Sequence, residues 1–166
     1  MTPATKPTAQ DDRTFEQYAA LCWRMHRGQV EVLLVTSRDT GRWILPKGWP
    51  MKGLPPQDAA CREAWEEAGV EGAVDAQSLG RYSYTKVRER KSNRKCVVDV
   101  FPLRVARLAF LFPEKMQRRR KWFLAREAAK IVDEPDLRKL LHRVDEEPAM
   151  LDQSGAKMAC NPQKSE

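Results

Sequence analysis

Residues 43–70 decide the fold, and they read WILPKGWPMKGLPPQDAACREAWEEAGV. The apolar start of this stretch ends at a proline, and the Gly and Pro residues between positions 48 and 56 exclude regular structure there. A helix is predicted from about Pro56 to Ala68, because proline suits a first turn and Gly69 can adopt the left-handed conformation that ends a helix. The stretch therefore predicts a loop of defined conformation followed by a short helix.

Three glutamates crowd one face of this predicted helix. Glu63, Glu66 and Glu67 are three and four positions apart, so their carboxylates project from the same side. Each like-charged pair costs roughly 0.2–0.5 kcal/mol at an exposed helix site, and Arg62, four residues before Glu66, offsets only part of that repulsion. An ordinary solvated helix face would have the same composition.

A bound divalent cation would offset the remaining repulsion. Carboxylate oxygens without His or Cys nearby suit a hard ion, so Mg²⁺ or Mn²⁺ is the expected cofactor. Such an ion neutralises charge on a phosphoryl oxygen and lowers the pKa of a bound water, while a glutamate can take the proton. The glutamates therefore favour hydrolysis of a P–O–P linkage.

The loop and the glutamates together fit a known pattern. It consists of a Gly, five residues, a Glu, seven residues and then R-E-apolar-x-E-E-x-G-apolar, and Gly48 and residues 62–70 fit it in register. On these residues the chain resembles the Nudix hydrolase family, over roughly residues 15–145. Leu54 departs from the pattern, because the family usually has a Glu there. The resemblance implies an α+β fold, an α/β/α sandwich with a mixed β-sheet flanked by helices.

The resemblance also implies roles for individual residues. Arg62 is expected to orient a glutamate, and one glutamate of the helix is expected to act as general base. Many family members add a carboxylate from a loop outside the pattern, and Glu114 or Glu89 could supply it. The implied metal ligands are Glu63, Glu66 and Glu67 with a backbone carbonyl of Lys47 or Gly48.

Two basic clusters, at residues 86–95 and 118–121, suit a substrate with several phosphates. A solvated hairpin tip and a charged strand edge would contain the same residues. The clusters resemble the diphosphoinositol polyphosphate phosphohydrolase branch of the family, whereas LPKGW resembles the loop of diadenosine polyphosphate hydrolases. Trp49, Tyr82, Tyr84 and Trp122 could stack on adenine or simply pack in the core or cover its edge. The residues predicted to bind substrate are Lys47, Lys86, Arg88, Arg90, Lys91, Arg94 and Arg120.

The formal net charge of +7 points to polyanionic partners. A polyphosphorylated small molecule is the expected one, and nucleic acid is a less favoured alternative. The alternative function is a catalytically idle Nudix scaffold that binds RNA or another polyanion. The intact glutamate triad argues against it, since an idle module would gain helix stability by replacing one of three clustered charges. The sequence leaves the oligomeric state open.

Composition along the chain predicts one domain between two loose tails. The predicted boundaries are residues 1–13 for the first tail, 14–147 for the Nudix-like domain and 148–166 for the second tail. A hairpin is expected from residues 15–25 and 30–35, and further strands near 79–85, 96–105 and 121–123. A final helix is predicted after Pro135 from the apolar stripe formed by Leu137, Leu140, Leu141 and Val144.

The cysteines and the hydropathy suggest a cytoplasmic protein without a membrane span. No stretch approaches the roughly 18 apolar residues that a membrane span requires. The cysteines stand far apart and show no paired metal-ligand spacing, so they are predicted to be reduced thiols. They are Cys22, Cys61, Cys96 and Cys160.

Overall fold

The computed structural model describes residues 13–152 and 157–160. Within that part of the chain the strands are β1 (Thr14–His26), β2 (Gln29–Thr36), β3 (Trp43–Ile44), β4 (Lys47–Gly48), β5 (Val70–Asp75), β6 (Gly80–Lys86), β7 (Arg94–Leu108), β8 (Arg120–Leu124) and β9 (Lys157–Cys160). The helices are α1 (Pro56–Ala68), α2 (Ala125–Ile131) and α3 (Pro135–Glu146), followed by a 3₁₀ helix, Pro148–Asp152.

A long parallel pair of strands, β1 and β7, forms the centre of the sheet. Their register runs from Thr14 opposite Lys95 to Trp23 opposite Arg104. The main strand order is β3-β2-β1-β7-β5-β9, and β4, β6 and β8 pair with β1, β7 and β2 respectively. Every pairing other than β1 with β7 is antiparallel. The predicted mixed sheet is therefore confirmed.

Helices cover both faces of this sheet, because each face is apolar. On one face α1 buries alanines such as Ala60 and Ala64 in a cluster with Leu33 and Leu103. On the other face α2 and α3 pack in a second cluster around Leu21 and Leu34. The predicted α/β/α sandwich is confirmed.

Helix α1 has the predicted ends. Pro56 stands in its first turn, and Gly69 closes it at φ 66° while its N–H donates to the carbonyl of Trp65 at 2.9 Å. A Cβ at position 69 would overlap the ring of Phe112, so both the backbone conformation and the space require glycine. This cap fixes the point at which the chain leaves α1.

The N-terminal hairpin, the three later strands and the final helix were also predicted correctly. Strand β2 is almost entirely buried, and α3 buries the four residues of its predicted stripe. Strands β3, β4, β5 and β9 and helix α2 were not predicted, and β4 includes Gly48, where no regular structure was expected. None of the helices within the described ranges is long and apolar enough to cross a membrane.

The segment after residue 147 differs from the predicted loose tail. Residues 148–152 form the 3₁₀ helix, where Met150 and Leu151 are buried, and β9 adds a strand beside β5. The apolar side chains of this segment complete the core, which sequence periodicity over so few residues does not reveal. Residues 1–12, 153–156 and 161–166 of the predicted tails lie outside the described residues.

The prediction that all cysteines are reduced is wrong for one pair. Cys61 of α1 and Cys160 of β9 form a disulfide, with their Cα atoms 5.8 Å apart and a separation of 99 positions in sequence. Pairing of β9 with β5 brings the two side chains together, which their sequence spacing does not indicate. Cys22 and Cys96 are free and buried.

Candidate active site

A cleft of about 760 Å³ opens where α1, the loop after β4 and the turn before β8 meet. Its size is in the range of small-molecule sites in proteins. All three glutamates of the predicted triad line it, and so do Lys47 and Gly48. The structure therefore brings the predicted metal ligands to one surface.

Gly48 makes room for the first glutamate. A Cβ at position 48 would overlap the carboxylate of Glu63, so the side chain of Glu63 lies directly against the backbone of β4. Strand β4 is held there by antiparallel pairing with β1, through Tyr18 opposite Gly48. The glycine in the sequence pattern is thus required by this close approach.

Glu67 is the most enclosed member of the triad, with 4% of its surface exposed. Its Oε2 accepts a hydrogen bond from the backbone N–H of Lys47 at 3.2 Å. Its Oε1 accepts another from Nη2 of Arg118, also at 3.2 Å. These contacts join α1 to β4 and to the turn before β8.

Arg118 links Glu67 to a fourth carboxylate, that of Glu114. Its guanidinium lies 3.3 Å from Oε1 of Glu114 and donates to the carbonyl of Thr36 at 3.0 Å. Arg38 approaches the same Glu114 oxygen at 3.5 Å. The backbone N–H of Glu114 donates to the carbonyl of Glu66 at 2.9 Å, so this turn is docked on α1. Glu114 therefore lies in the cleft, whereas Glu89 is exposed on the β6–β7 turn.

The crowding of carboxylates changes their protonation. Burial, together with Glu66 and Glu114, raises the pKa of Glu63 to about 7. Burial likewise raises the pKa of Glu67 to about 8, although the guanidinium of Arg118 opposes the shift. Two carboxyl groups with raised pKa values in one cleft are typical of a functional site.

The donor set fits a hard divalent cation. Oxygen ligands from glutamates and a backbone carbonyl are those that Mg²⁺ and Mn²⁺ prefer, and a bound cation would favour the charged form of carboxyl groups whose pKa values are raised by burial and by neighbouring carboxylates. Among the described residues, no three His, Cys, Asp or Glu side chains already converge on one point. The carboxylate of Glu67 is oriented toward Arg118 and the N–H of Lys47.

Cations line the same cleft as the glutamates. The ammonium group of Lys47 lies 4.7 Å from the ring centroid of Tyr84, and burial lowers its pKa. The hydroxyl of Tyr84 donates to Oε1 of Gln17 at 2.5 Å, which holds the ring in place. Lys86 also lines the cleft. Acidic and basic side chains thus share one cavity.

Comparison with known proteins agrees with this geometry. Residues 16–144 match the model of the NUDIX domain. The chain belongs to the Nudix family. The domain is that of a Nudix-type pyrophosphohydrolase, and enzymes with this domain generally use divalent metal ions.

Curated Nudix relatives of this chain include a plant protein and a mouse protein. Nudix hydrolase 21, chloroplastic, of Arabidopsis thaliana is 35% identical over 118 residues, which are 69% of this chain and 56% of that protein. The chain thus spans little more than half of the plant protein. Diphosphoinositol polyphosphate phosphohydrolase 3-alpha of Mus musculus is 36% identical over 125 residues, which cover 74% of this chain and 72% of that protein.

Solved structures agree with the Nudix fold. A binary complex of the C. elegans Ap4A hydrolase has a TM-score of 0.61 at 22% identity, and covers 81% of this chain and 98% of its own. The NUDIX domain of Shewanella oneidensis NrtR, solved with ADP ribose, also has a TM-score of 0.61, at 17% identity. The match covers 87% of this chain and 94% of the NrtR domain. At these identities the likeness concerns the fold alone.

Several predicted residues lie away from the Nudix cleft. Arg120 donates to the carbonyl of Ala68 at 2.6 Å, so it supports the end of α1. Arg88 donates to the carbonyl of Ser92 within the β6–β7 turn, and Arg90 and Lys91 are exposed on that turn. Arg62 is half-buried on α1 but does not line the cleft, and its role in orienting a glutamate stays a prediction.

Sequence reasoning missed three arginines of the cleft. Arg38 and Arg42 follow β2, and Arg118 precedes β8, so they meet α1 only in the folded chain. Arg118 belongs to the basic cluster at residues 118–121, which predicts either polyphosphate binding or a charged strand edge and does not indicate a contact with Glu67. Its position four residues after Glu114 was the available signal, since that spacing permits an ion pair.

Proposed function

We propose that this chain hydrolyses a phosphoanhydride bond of a diphosphoinositol polyphosphate or a diadenosine polyphosphate, with Mg²⁺ or Mn²⁺ held by Glu63, Glu66 and Glu67. The observation that carries the proposal is the cleft itself, which is lined by the three glutamates together with Lys47 and Lys86. A carbonyl of Lys47 or Gly48 would complete the ligand set. When bound, the ion neutralises phosphoryl charge and lowers the pKa of a bound water.

Within this proposal Glu63 is the general base. Glu63 has no hydrogen-bond or ion-pair partner among residues 13–152 and 157–160, whereas Glu67 is engaged by Lys47 and Arg118. A carboxyl group that makes no hydrogen bond within the described ranges and has a pKa near 7 is suited to take a proton from water at neutral pH. Glu114 is the candidate for an additional carboxylate, because it lies in the same cleft.

The substrate assignment follows from the cations of the cleft. Lys47 and Lys86 line it and suit a substrate with several phosphates, whereas Arg42 is engaged by Asp133 and Glu134. The names of the mouse relative and of the nematode structure point to diphosphoinositol polyphosphates and to Ap4A, respectively. Arg90 and Lys91 stay predicted contacts for the outer phosphates of a large substrate.

The test is phosphate release from a panel of inositol pyrophosphates, diadenosine polyphosphates, ADP-ribose and capped RNA with Mg²⁺ or Mn²⁺. Glu63→Gln should lower kcat by about 10²–10⁴-fold and should also weaken metal binding, because the residue is both the proposed general base and one of the three proposed ligands. Glu67→Gln should lower turnover by orders of magnitude and also weaken metal binding. Glu127→Gln, exposed on α2, is the matched control. Wild-type turnover in both active-site variants would refute the proposal.

The alternative of an idle RNA-binding scaffold makes the opposite prediction. Its support is the exposed basic turn at Arg90 and Lys91 and the departure at Leu54. RNA binding that weakens steeply with salt, together with no phosphate release from any substrate, would favour it.

A cytoplasmic location is part of the proposal, although the disulfide is typical of oxidising compartments. Alkylation of the protein in intact cells distinguishes the two environments. Four modified cysteines after denaturation would support the cytoplasm, and two would contradict it.

A further inference from the structure

Two aromatic rings and two cations form an assembly at the rim of the cleft, here called the Trp49 platform. It consists of Phe15, Trp49, Lys86 and Arg94. The rings of Phe15 and Trp49 meet edge to face, with centroids 6.3 Å apart. The ammonium group of Lys86 lies 5.1 Å from the Trp49 ring, and the guanidinium of Arg94 lies 4.6 Å from the Phe15 ring and 5.7 Å from Trp49.

Backbone pairing forces the two cations together. Lys86 and Arg94 stand directly opposite one another in the antiparallel pair of β6 and β7. Like charges in that position destabilise a sheet. Within the described ranges neither side chain forms a salt bridge with a carboxylate, and the buried Nε of Arg94 has no hydrogen-bond partner. The aromatic rings are what stabilise this pair of charges.

Two members of the platform face the ligand directly, whereas Phe15 and Arg94 contact Trp49 but are not among the residues that line the cleft. Trp49 and Lys86 line the same cleft as the glutamates, so whatever occupies the cleft reaches this rim. Paired cations with no carboxylate partner favour a ligand with several negative charges at that end. A nucleobase could stack on Trp49 only by competing with Lys86 and Arg94 for the ring.

We infer that Phe15 and Trp49 hold Lys86 and Arg94 as a clamp for the non-reacting phosphates of the substrate, so that the cleft selects ligands dense in phosphate over those that end in a nucleobase. This inference rests on the proposed function and narrows its substrate class. Trp49 is then a positioning residue, because it acts through the two cations.

The test uses inositol hexakisphosphate, which carries several phosphates but no anhydride bond, so its binding is measured independently of turnover. Removal of both charges in the double variant Lys86→Met and Arg94→Met should weaken binding by about 100-fold, roughly tenfold for each lost charge-assisted contact. The control double variant, Lys130→Met and Lys139→Met, removes the same charge from exposed helix positions and should stay within about twofold. An equal loss of affinity for inositol hexakisphosphate in the two double variants would overturn the clamp.

Trp49 variants separate the clamp from base stacking. Trp49→Leu, checked for an unchanged melting temperature, should weaken inositol hexakisphosphate binding about tenfold, and Trp49→Phe should retain most of it because a ring face remains. The KM for diadenosine tetraphosphate should change less than this binding constant. A Trp49→Leu effect confined to the diadenosine substrate, or no effect on either ligand, would overturn the inference.

The clamp and the catalytic proposal can fail separately. If the wild-type protein releases no phosphate from any anhydride while inositol hexakisphosphate binding still depends on Lys86, Arg94 and Trp49, the clamp is supported and the proposed catalysis is overturned. If turnover of inositol pyrophosphates is normal and unaffected by all three changes, the catalysis is supported and the clamp is overturned.

Discussion

The guanidinium of Arg118 lies 3.2 Å from the carboxylate of Glu67, and both side chains are almost fully buried. Arg118 therefore supplies positive charge inside a site that the proposed function assigns to a divalent ion. Its hydrogen bonds to Glu114 and to the carbonyl of Thr36 fix the position of the guanidinium in this site. A change to this ion pair is therefore expected to affect both the stability of the metal-free protein and its catalytic activity.

Arg118→Leu is expected to destabilise the metal-free protein in a pH-dependent way. Removing one partner of a buried ion pair costs about 3–5 kcal/mol when the other charge stays. Glu67 can take up a proton instead, so the loss should be smaller at pH 6 than at pH 9. Urea unfolding at both pH values measures it, with the exposed Arg119→Leu as control. An equal loss at the two pH values would show that Glu67 is not the partner that matters.

The free energy of unfolding of the metal-free protein should fall as the pH rises from about 5 to 9. The pKa values of Glu63 and Glu67 are raised to about 7 and 8, so the folded state binds more protons than the unfolded state over this window. Their contribution is fully present below the unfolded pKa and is lost as the pH passes the folded values. Denaturant titrations should show a smaller slope in the variant Glu63→Gln plus Glu67→Gln. An identical slope would contradict the assignment.

Gly48→Ala is expected to lower turnover by at least tenfold without unfolding the protein. The added methyl group overlaps the carboxylate of Glu63 and must push that side chain out of position. Lys52→Ala, an exposed position in the same loop, is the control. Steady-state kinetics and circular dichroism measure the two effects. Normal kcat in Gly48→Ala would mean that the position of Glu63 is not critical.

The Cys61–Cys160 disulfide should stabilise the C-terminal strand and the helix of the site together. Cys160→Ser is expected to cost about 2–5 kcal/mol of unfolding free energy under oxidising conditions, because the bond closes a long loop. Under reducing conditions the variant and the wild type should differ little. Loss of stability that is the same with and without reductant would show that the bond does not form in solution.

Local signals in the sequence were sufficient for α1 and for the glutamate face. Pro56 and Gly69 mark the ends of the helix by backbone constraints that act within one turn, and the spacing of Glu63, Glu66 and Glu67 follows from helix geometry alone. The final helix and the first hairpin were likewise indicated by residues close together in sequence. These elements could be predicted because neighbours in sequence determine them.

The remaining features depend on contacts between distant segments. Strand β5 has Gly72 in its middle, where a Cβ would overlap the backbone carbonyl of Arg104. The formation of β5 therefore depends on its pairing with β7 and not on its own sequence. Helix α2 has only seven residues and no side-chain cap. Arg118 reaches Glu67 across 51 positions, and Cys160 reaches Cys61 across 99. Contacts between residues so far apart in sequence leave no periodic pattern that could predict them.

Calorimetric titration of the wild-type protein with Mg²⁺ and Mn²⁺ at pH 8.5, with and without inositol hexakisphosphate, tests the central claim most directly. We expect binding at one cleft that releases protons and weakens as the pH falls below about 7, since the glutamates must be deprotonated. Glu67→Gln should abolish it, and Glu127→Gln should not. Absence of metal uptake by the wild-type protein under every condition, or undiminished uptake by Glu67→Gln, would contradict the account.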